Sequence, residues 1–302
     1  MKRVLDVILL VFVSVVFGSC NKNIFSNGDL VDKLDTITES FRSVEFCDDV
    51  NVTLKHCDES HIAGLIRIKT GENLIDSITA TIQKDENGNC LVIHNHNTLD
   101  YLRPYNYKLE MTVWYDSIHT LIFNSNGTVT TDTLRGIRFS DTISQDSTVY
   151  KNKVQINIIG GSGDFHFLMG GALLYTDYKE GTGNVYAKGS SSYAHTQTKY
   201  ECHGIIDYRD MEIHNHDIFH RGTNRIYTKV FSNLRARNDN NGEVLYVRYR
   251  KKTRDYIPPD DEHPWGHYDS VWHYCPEYLN YNDQDLNSWT YNNDIPGLVK
   301  VH

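Results

Sequence analysis

Glycine recurs through the second half of the chain at a nearly fixed interval: Gly163, Gly183, Gly204, Gly222 and Gly242 lie 20, 21, 18 and 20 residues apart. Between them run short alternating stretches, such as KVQINIIGGSGDFHFLMG at 153–170 and GALLYTDYKEGTGNVYAKG at 171–189, where GTGNVY falls twenty residues after GSGDFH. Each unit reads as strand, glycine turn, strand. Such a unit cannot cover its own apolar face and does so only by stacking on a copy of itself. A period near 20 therefore fits one coil of a β-solenoid. Alternation gives the coil an interior, because Val154, Ile156 and Ile158 fall on one side of a strand and Gln155 and Asn157 on the other. The glycines are expected at corners whose backbone needs positive φ. The competing arrangement is a meander of antiparallel hairpins, in which glycine turns recur every roughly 8–12 residues.

The first half alternates in the same way with a less regular period, through VEFCDDVNVTLKHCD, LIRIKTG, SITATIQKDENGNCLVIHNH and YKLEMTVWYDSIHTLIFNSNGTVTTDTL. Residues 137–152 read as an insertion between coils. No stretch carries apolar residues at helical three-and-four spacing, and 20 Tyr and 11 Phe stand against 4 Met and 6 Pro. The expected class is all-β.

The chain begins MKRVLDVILLVFVSVVFGSCNK, in which Lys2 and Arg3 precede an apolar run of eleven residues from Val7 to Phe17, followed by Gly18, Ser19 and Cys20. A bilayer span needs about 20 apolar residues. The segment thus reads as a signal peptide, residues 1–19, removed on export. A cysteine behind two small residues resembles a bacterial lipobox, which makes Cys20 the lipidated first residue of the mature chain; an ordinary secretory signal is the alternative. Each buried acyl methylene contributes about 0.8 kcal/mol, so several chains would hold the protein at the membrane without spanning it. Residues 20–40 read as a flexible polar tether. No acidic cluster follows Cys20, which favours a periplasm-facing anchor over surface display and leaves the leaflet open. The expected place is the cell envelope, lipid-anchored at the outer membrane.

The net charge of −9 becomes −10 once Lys2, Arg3 and Asp6 leave with the signal. Non-specific nucleic-acid binding is excluded on that charge. Setting Cys20 aside leaves Cys47, Cys57, Cys90, Cys202 and Cys275, with no CxxC pair and no zinc-type spacing. Export permits disulfides. Cys47 and Cys57, bracketing one short turn and strand, are the candidate pair, against a set of buried or partly buried thiols.

Two histidine pairs, His94/His96 and His214/His216, place imidazoles at i and i+2 on a strand, a spacing that can chelate a transition metal. Solvent-facing polar positions explain the same spacing, and neither metal nor any other cofactor is assigned. For catalysis, GGSGD at 160–164 puts Asp164 where a nucleophile elbow needs glycine. Neither a triad, a P-loop nor a dinucleotide fingerprint is present, and Arg237 spoils RNDNNGE as a calcium loop. Paired glycosidase carboxylates can be drawn from so many acids that sequence does not decide them.

Asp-Ser/Thr triplets recur at Thr36, Ser77, Ser117, Thr133, Thr142, Ser147 and Ser270. They resemble an O-glycosylation sequon of exported proteins, and they also suit the ends of turns. Residues 251–302, opened by Pro258-Pro259, hold three of the four tryptophans. This segment is either a cap over the last coil or an aromatic binding surface.

The order FRSVEFCDDVNVTLKHCDE, ENGNCLVIHNH, LEMTVWYDSIHTLIFNSNGTV, INIIGGSGDFHFLMG and GTGNVYAKG resembles the head GIN domain family of putative auto-transporter adhesins, over residues 41–250. The resemblance implies a right-handed parallel β-helix-like head, export as a Gram-negative lipoprotein, and no catalytic residues to carry over. HGIIDYRD, which lacks the second turn glycine, departs from the pattern, as do the insertion and the tail. The expected function is a membrane-anchored adhesin-type binding or structural protein, not an enzyme, with a protein or glycan ligand. The alternative is a carbohydrate-active envelope protein, glycan-binding or glycoside-hydrolysing. Exposed aromatics beside two carboxylates in a groove would favour the alternative, and a smooth polar face the first.

Overall fold

The computed structural model describes residues 26–85, 88–97, 109–134, 153–171, 173–257, 267–275, 277–280 and 297–301. The strands run β1 (Leu30–Thr36), β2 (Ser43–Asp48), β3 (Asn51–His56), β4 (Leu65–Gly71), β5 (Ile78–Asp85), β6 (Gly88–Asn95), β7 (Glu110–Tyr115), β8 (Thr120–Ser125) and β9 (Val129–Leu134). They continue with β10 (Lys153–Gly160), β11 (Asp164–Gly170), β12 (Leu173–Gly181), β13 (Asn184–Cys202), β14 (Ile206–His220), β15 (Arg225–Asn238), β16 (Glu243–Ile257), β17 (His267–Cys275), β18 (Glu277–Asn280) and β19 (Gly297–Val301). The protein is all-β, a long mixed sheet that does not close into a barrel.

The glycine period reappears as strand register. Lys153 pairs with Leu173, Leu174 with Ala194 and Ile206 with Ile226, each twenty residues on, and all in parallel. Val185 pairs with Ile206 and Arg225 with Glu243, matching the intervals of 21 and 18. A hairpin meander pairs neighbours antiparallel, so parallel pairing one period apart excludes it for this half. Two faces result. One carries β6, β2, β8, β10, β12 and the later parts of β13, β14 and β15. The other carries β7, β3, β9, β11, the earlier parts of β13–β15, and β16.

Inward positions line up through the rungs as the alternation requires. On the second face Val52, Val129, Phe165, Val185, Ile206, Ile226 and Val244 form one buried column. Each such side chain contributes about 1.5–3 kcal/mol by leaving water. On the first face the column Val44, Leu121, Ile156, Thr176, Thr196, Ile218 and Ala236 includes two threonines. There the core turns polar: Thr196 Oγ1 and Thr228 Oγ1 lie 2.8 and 2.9 Å from the two ring nitrogens of His216.

The corner glycines serve a different purpose from the one expected. Positive φ belongs to Gly161, Gly181 and Gly189, whereas Gly163, Gly183 and Gly204 do not adopt it. What they lack is room. A Cβ on Gly163 would stand 1.9 Å from the Gly127 carbonyl oxygen, one on Gly183 2.4 Å from that of Gly163, and one on Gly204 1.8 Å from that of Gly183. These glycines stack carbonyl-on-Cα down one edge, so close approach of backbones requires them.

The irregular first half has a topological cause. β2 lies between β6 and β8, and β3 between β7 and β9, with Val44 paired to Leu121 and Val52 to Val129, both 77 residues on. The chain lays down an inner rung first in β2 and β3, then forms an end rung from β6 and β7 with antiparallel β4 and β5, and returns in β8 and β9 on the other side of the first rung. Further along, Ile156 pairs with Leu121 and Phe165 with Val129, offsets of 35 and 36. These exceed one period by about the length of the predicted insertion, which itself lies outside the described residues.

Two predicted boundaries shift. The segment read as a tether contains β1, which pairs antiparallel with β4 and is tied by the Arg67 guanidinium donating to Asp32. Its polar alternation, LVDKLDT, gave no apolar signal because six of its seven residues are exposed. β16 runs through the boundary at 250/251, and beyond it β18 adds to β15 and β19 to β16.

Candidate functional site

The outward side of the first face carries a strip of aromatic rings. Tyr175, His195, Asp217 and Arg235 follow one another in register across four rungs, with Asp177, Gln197, Phe219 and Arg237 beside them. Parallel strands at about 4.8 Å spacing bring successive outward side chains into contact. Tyr175 lies 5.8 Å from His195 and 6.0 Å from Tyr193, and His195 lies 5.6 Å from Phe219, ring centre to ring centre. Lys153 Nζ sits 4.2 Å above the Tyr175 ring, a cation–π contact.

The Asp217 carboxylate fixes this strip. The Tyr193 hydroxyl donates to Asp217 Oδ2 at 2.8 Å, and Arg235 Nε approaches Asp217 Oδ1 at 4.0 Å. Burial and that carboxylate push the Tyr193 phenol above its ordinary range. Burial lowers the pKa of His195, with Asp217 and Asp177 pulling the other way. Tyr175, Tyr193 and His195 are half-buried by their neighbours, while Phe219 is exposed. The surface is a partly charged aromatic face on the outside of the sheet, its rings tilted against one another. No single motif announces it. Superposing the repeat units by their glycines would have found it, since Tyr175 and His195 occupy the same phase one period apart.

The two histidine pairs fare differently. His94 and His96 do share a surface, with rings 5.1 Å apart and 14° from parallel, and Asp48 joins them: His94 Nδ1 is 3.0 Å from Asp48 Oδ2. His214 and His216 do not share one. The β14–β15 register shifts between Ile213 and Asn215, where the chain turns from the second face to the first, so His214 ends outside and His216 wholly inside. Burial lowers the His216 pKa to about 3, and the ring is neutral.

Cys47 and Cys57, the candidate pair, stand as free thiols in this structure. Cys47 packs with Cys90 and Val92 at the end of β2, and burial pushes its thiol up to about 12. The six residues of β3, at about 3.3 Å each, carry Cys57 away from it toward Asp116. Cys90 and Cys202 are buried, and the Cys202 thiol donates to the Tyr178 carbonyl at 2.9 Å. Of the Asp-Ser/Thr positions, Thr36 is exposed and Ser77, Ser117 and Thr133 are partly so. The Asp35 carboxylate accepts from the Thr36 backbone N–H at 2.8 Å. Cys20, Thr142 and Ser147 lie outside the described residues, as does the side chain of Ser270. Among the described residues no helix is long and apolar enough to cross a membrane.

Residues 40–248 match the family described as "Putative auto-transporter adhesin, head GIN domain". No curated protein sequence matches. A crystal structure of a putative adhesin from Bacteroides fragilis is similar at a TM-score of 0.54 and 13% identity, over 70% of this chain and 86% of that one. A putative adhesin from Parabacteroides merdae gives 0.44 and 16%, over 73% and 90%. A putative lipid binding protein from Parabacteroides distasonis gives 0.45 and 13%, over 74% and 99%. At these identities the likeness to the first is one of fold.

Proposed function

The chain belongs to the head GIN domain family, and from that membership we propose that it is a non-enzymatic adhesin-type protein of the cell envelope, anchored through lipid on Cys20. In this reading the stacked rungs form a right-handed β-solenoid that holds a binding face rigid and away from the membrane, and residues 251–302 cap its last coil. The observation that carries the reading is the aromatic strip of Tyr175, Tyr193, His195 and Phe219, set in register on an open face. Rings held by sheet register offer contact area without the entropy cost of ordering them on binding.

The same strip favours a glycan as the ligand. Asp177, Asp217, Gln197 and Arg235 lie among the rings, supplying acceptors and donors for hydroxyls beside aromatic surface. Of the carbohydrate-active readings, binding fits an open strip better than hydrolysis, which needs two carboxylates across a seated bond.

Anchoring is tested by fractionation and by protease accessibility on intact cells. Wild type should partition with membranes and Cys20→Ala should be released in soluble form; release of both would reject the anchor. The binding face is tested by glycan-array binding of the purified protein. Tyr175→Ala and His195→Ala should each lower binding at least fivefold with unchanged circular dichroism, and undiminished binding would move the ligand elsewhere.

A further inference from the structure

The end of β2 and the end of β6 meet at a corner on the outer surface, where three side chains of metal-ligating type converge. Asp48 closes β2, His94 lies in β6, and His96 follows it. Their ligating atoms all lie within 4.8 Å of one another. Three features of the local backbone produce this. Alternation along β6 puts His94 and His96 on the same side while Asn95, buried between them, turns inward and donates from Nδ2 to the Asp49 carbonyl at 2.8 Å. Asp48 has φ +63, the one positive φ among the described non-glycine residues, and its carboxylate faces β6. The Asn95 N–H donates to Asp48 Oδ2 at 3.3 Å, and the Asn97 side chain donates to Asn95 Oδ1 at 2.7 Å, locking the turn.

We propose that Asp48, His94 and His96 form a binding site for a divalent transition metal, with Zn²⁺ the best match. Two imidazoles and one carboxylate are the donor set of open, three-ligand zinc sites, in which a water fills the fourth position. With bonds of about 2.0–2.2 Å, tetrahedral ligands stand roughly 3.3 Å apart. The His94–Asp48 separation of 3.0 Å already approaches that value. Drawing in His96 needs a side-chain rotation of an exposed ring that stacks on His94 and has its Nε2 3.3 Å from Thr79 Oγ1. On binding, the metal takes the place of the hydrogen bond between His94 Nδ1 and Asp48 Oδ2. Metal bound here would fasten the end of β6 to the corner of β2, and its open position faces solvent.

A second cluster, His56, Cys57 and Asp116, sits at the far end of β3, and the experiment distinguishes the two. In that cluster His56 Nδ1 is already 2.8 Å from the Cys57 carbonyl oxygen, and burial and Asp116 raise the Cys57 thiol pKa.

The test is calorimetric titration of ZnCl₂ into full-length protein in detergent, freed of metal with chelator, alongside the optical spectrum of the Co²⁺-loaded protein. One equivalent of Zn²⁺ should bind. His94→Ala and His96→Ala should each weaken it at least tenfold, Asp48→Asn severalfold, and the exposed His214→Ala not at all. The Co²⁺ spectrum should lack a thiolate charge-transfer band. No uptake, uptake unchanged in His94→Ala, or a thiolate band abolished by Cys57→Ser would each overturn the assignment. The alanine changes fall on side chains outside the core, so melting temperatures of the apo variants should match wild type; a lower value is resolved by repeating the titration on His96→Gln, which keeps the surface polar and removes the imidazole.

Discussion

Replacing Gly204 by alanine tests whether the glycine period exists because backbones touch. The new Cβ would stand 1.8 Å from the Gly183 carbonyl oxygen and 2.6 Å from the Tyr178 hydroxyl oxygen. Ordinary contact begins near 3.4 Å, so the two rungs must part by about 1.6 Å or the corner must rebuild. That movement strains the hydrogen bonds that seat this rung on the last: His203 N–H to the Gly181 carbonyl at 3.0 Å, Val185 N–H to the Ile205 carbonyl at 2.8 Å, and Tyr178 O–H to the Gly183 carbonyl at 2.7 Å. Two such bonds at about 1 kcal/mol each, with about 1–3 kcal/mol of overpacking, give a destabilisation of about 3–5 kcal/mol. Gly171→Ala is the matched control. Gly171 has φ +79 but open space where its Cβ would go, so it should cost only the left-handed penalty of about 1–2 kcal/mol. Urea unfolding followed by far-ultraviolet circular dichroism measures both. If Gly204→Ala costs no more than Gly171→Ala, carbonyl-on-Cα stacking is not what selects glycine at these corners.

Acid should weaken the fold through His216. Its folded pKa of about 3 lies below the unfolded value near 6.5, so the unfolded chain binds the extra proton and stability is lost as pH falls from about 6.5 toward 3. From this group alone the loss is about 2 kcal/mol by pH 5; His216→Gln should flatten the fall in unfolding midpoint between pH 7 and pH 5, and equal slopes would refute the assignment. Native thiol labelling should modify Cys57 well before Cys47 and Cys202, whose thiols burial pushes to about 12 and about 11. Recovery of a Cys47–Cys57 disulfide peptide would contradict that order. Protein from the native host should weigh more than its lipidated polypeptide if Thr36, Ser77, Ser117 or Thr133 carries glycan, and an unmodified mass disposes of the idea.

What sequence could tell depended on how far along the chain contacting residues lie. In the second half every rung rests on the one before, so partners recur at a nearly constant offset and Gly163, Gly183 and Gly204 announce the stacking directly. In the first half Val44 meets Leu121 and Val52 meets Val129 only after a 77-residue excursion, a distance no local pattern encodes. The same rule sorts the sites. His94 and His96 were legible as neighbours because they share a strand, but Asp48 was not, since it lies 46 residues from His94 and meets it through the β2–β6 ladder. His214 and His216 have identical spacing and fail as a pair because a corner falls between them, a register shift that neither residue type signals. Spacing on a strand therefore yields a ligand pair only when the strand stays straight, and in a fold built of corners the position of the turn decides which histidines become core and which become surface.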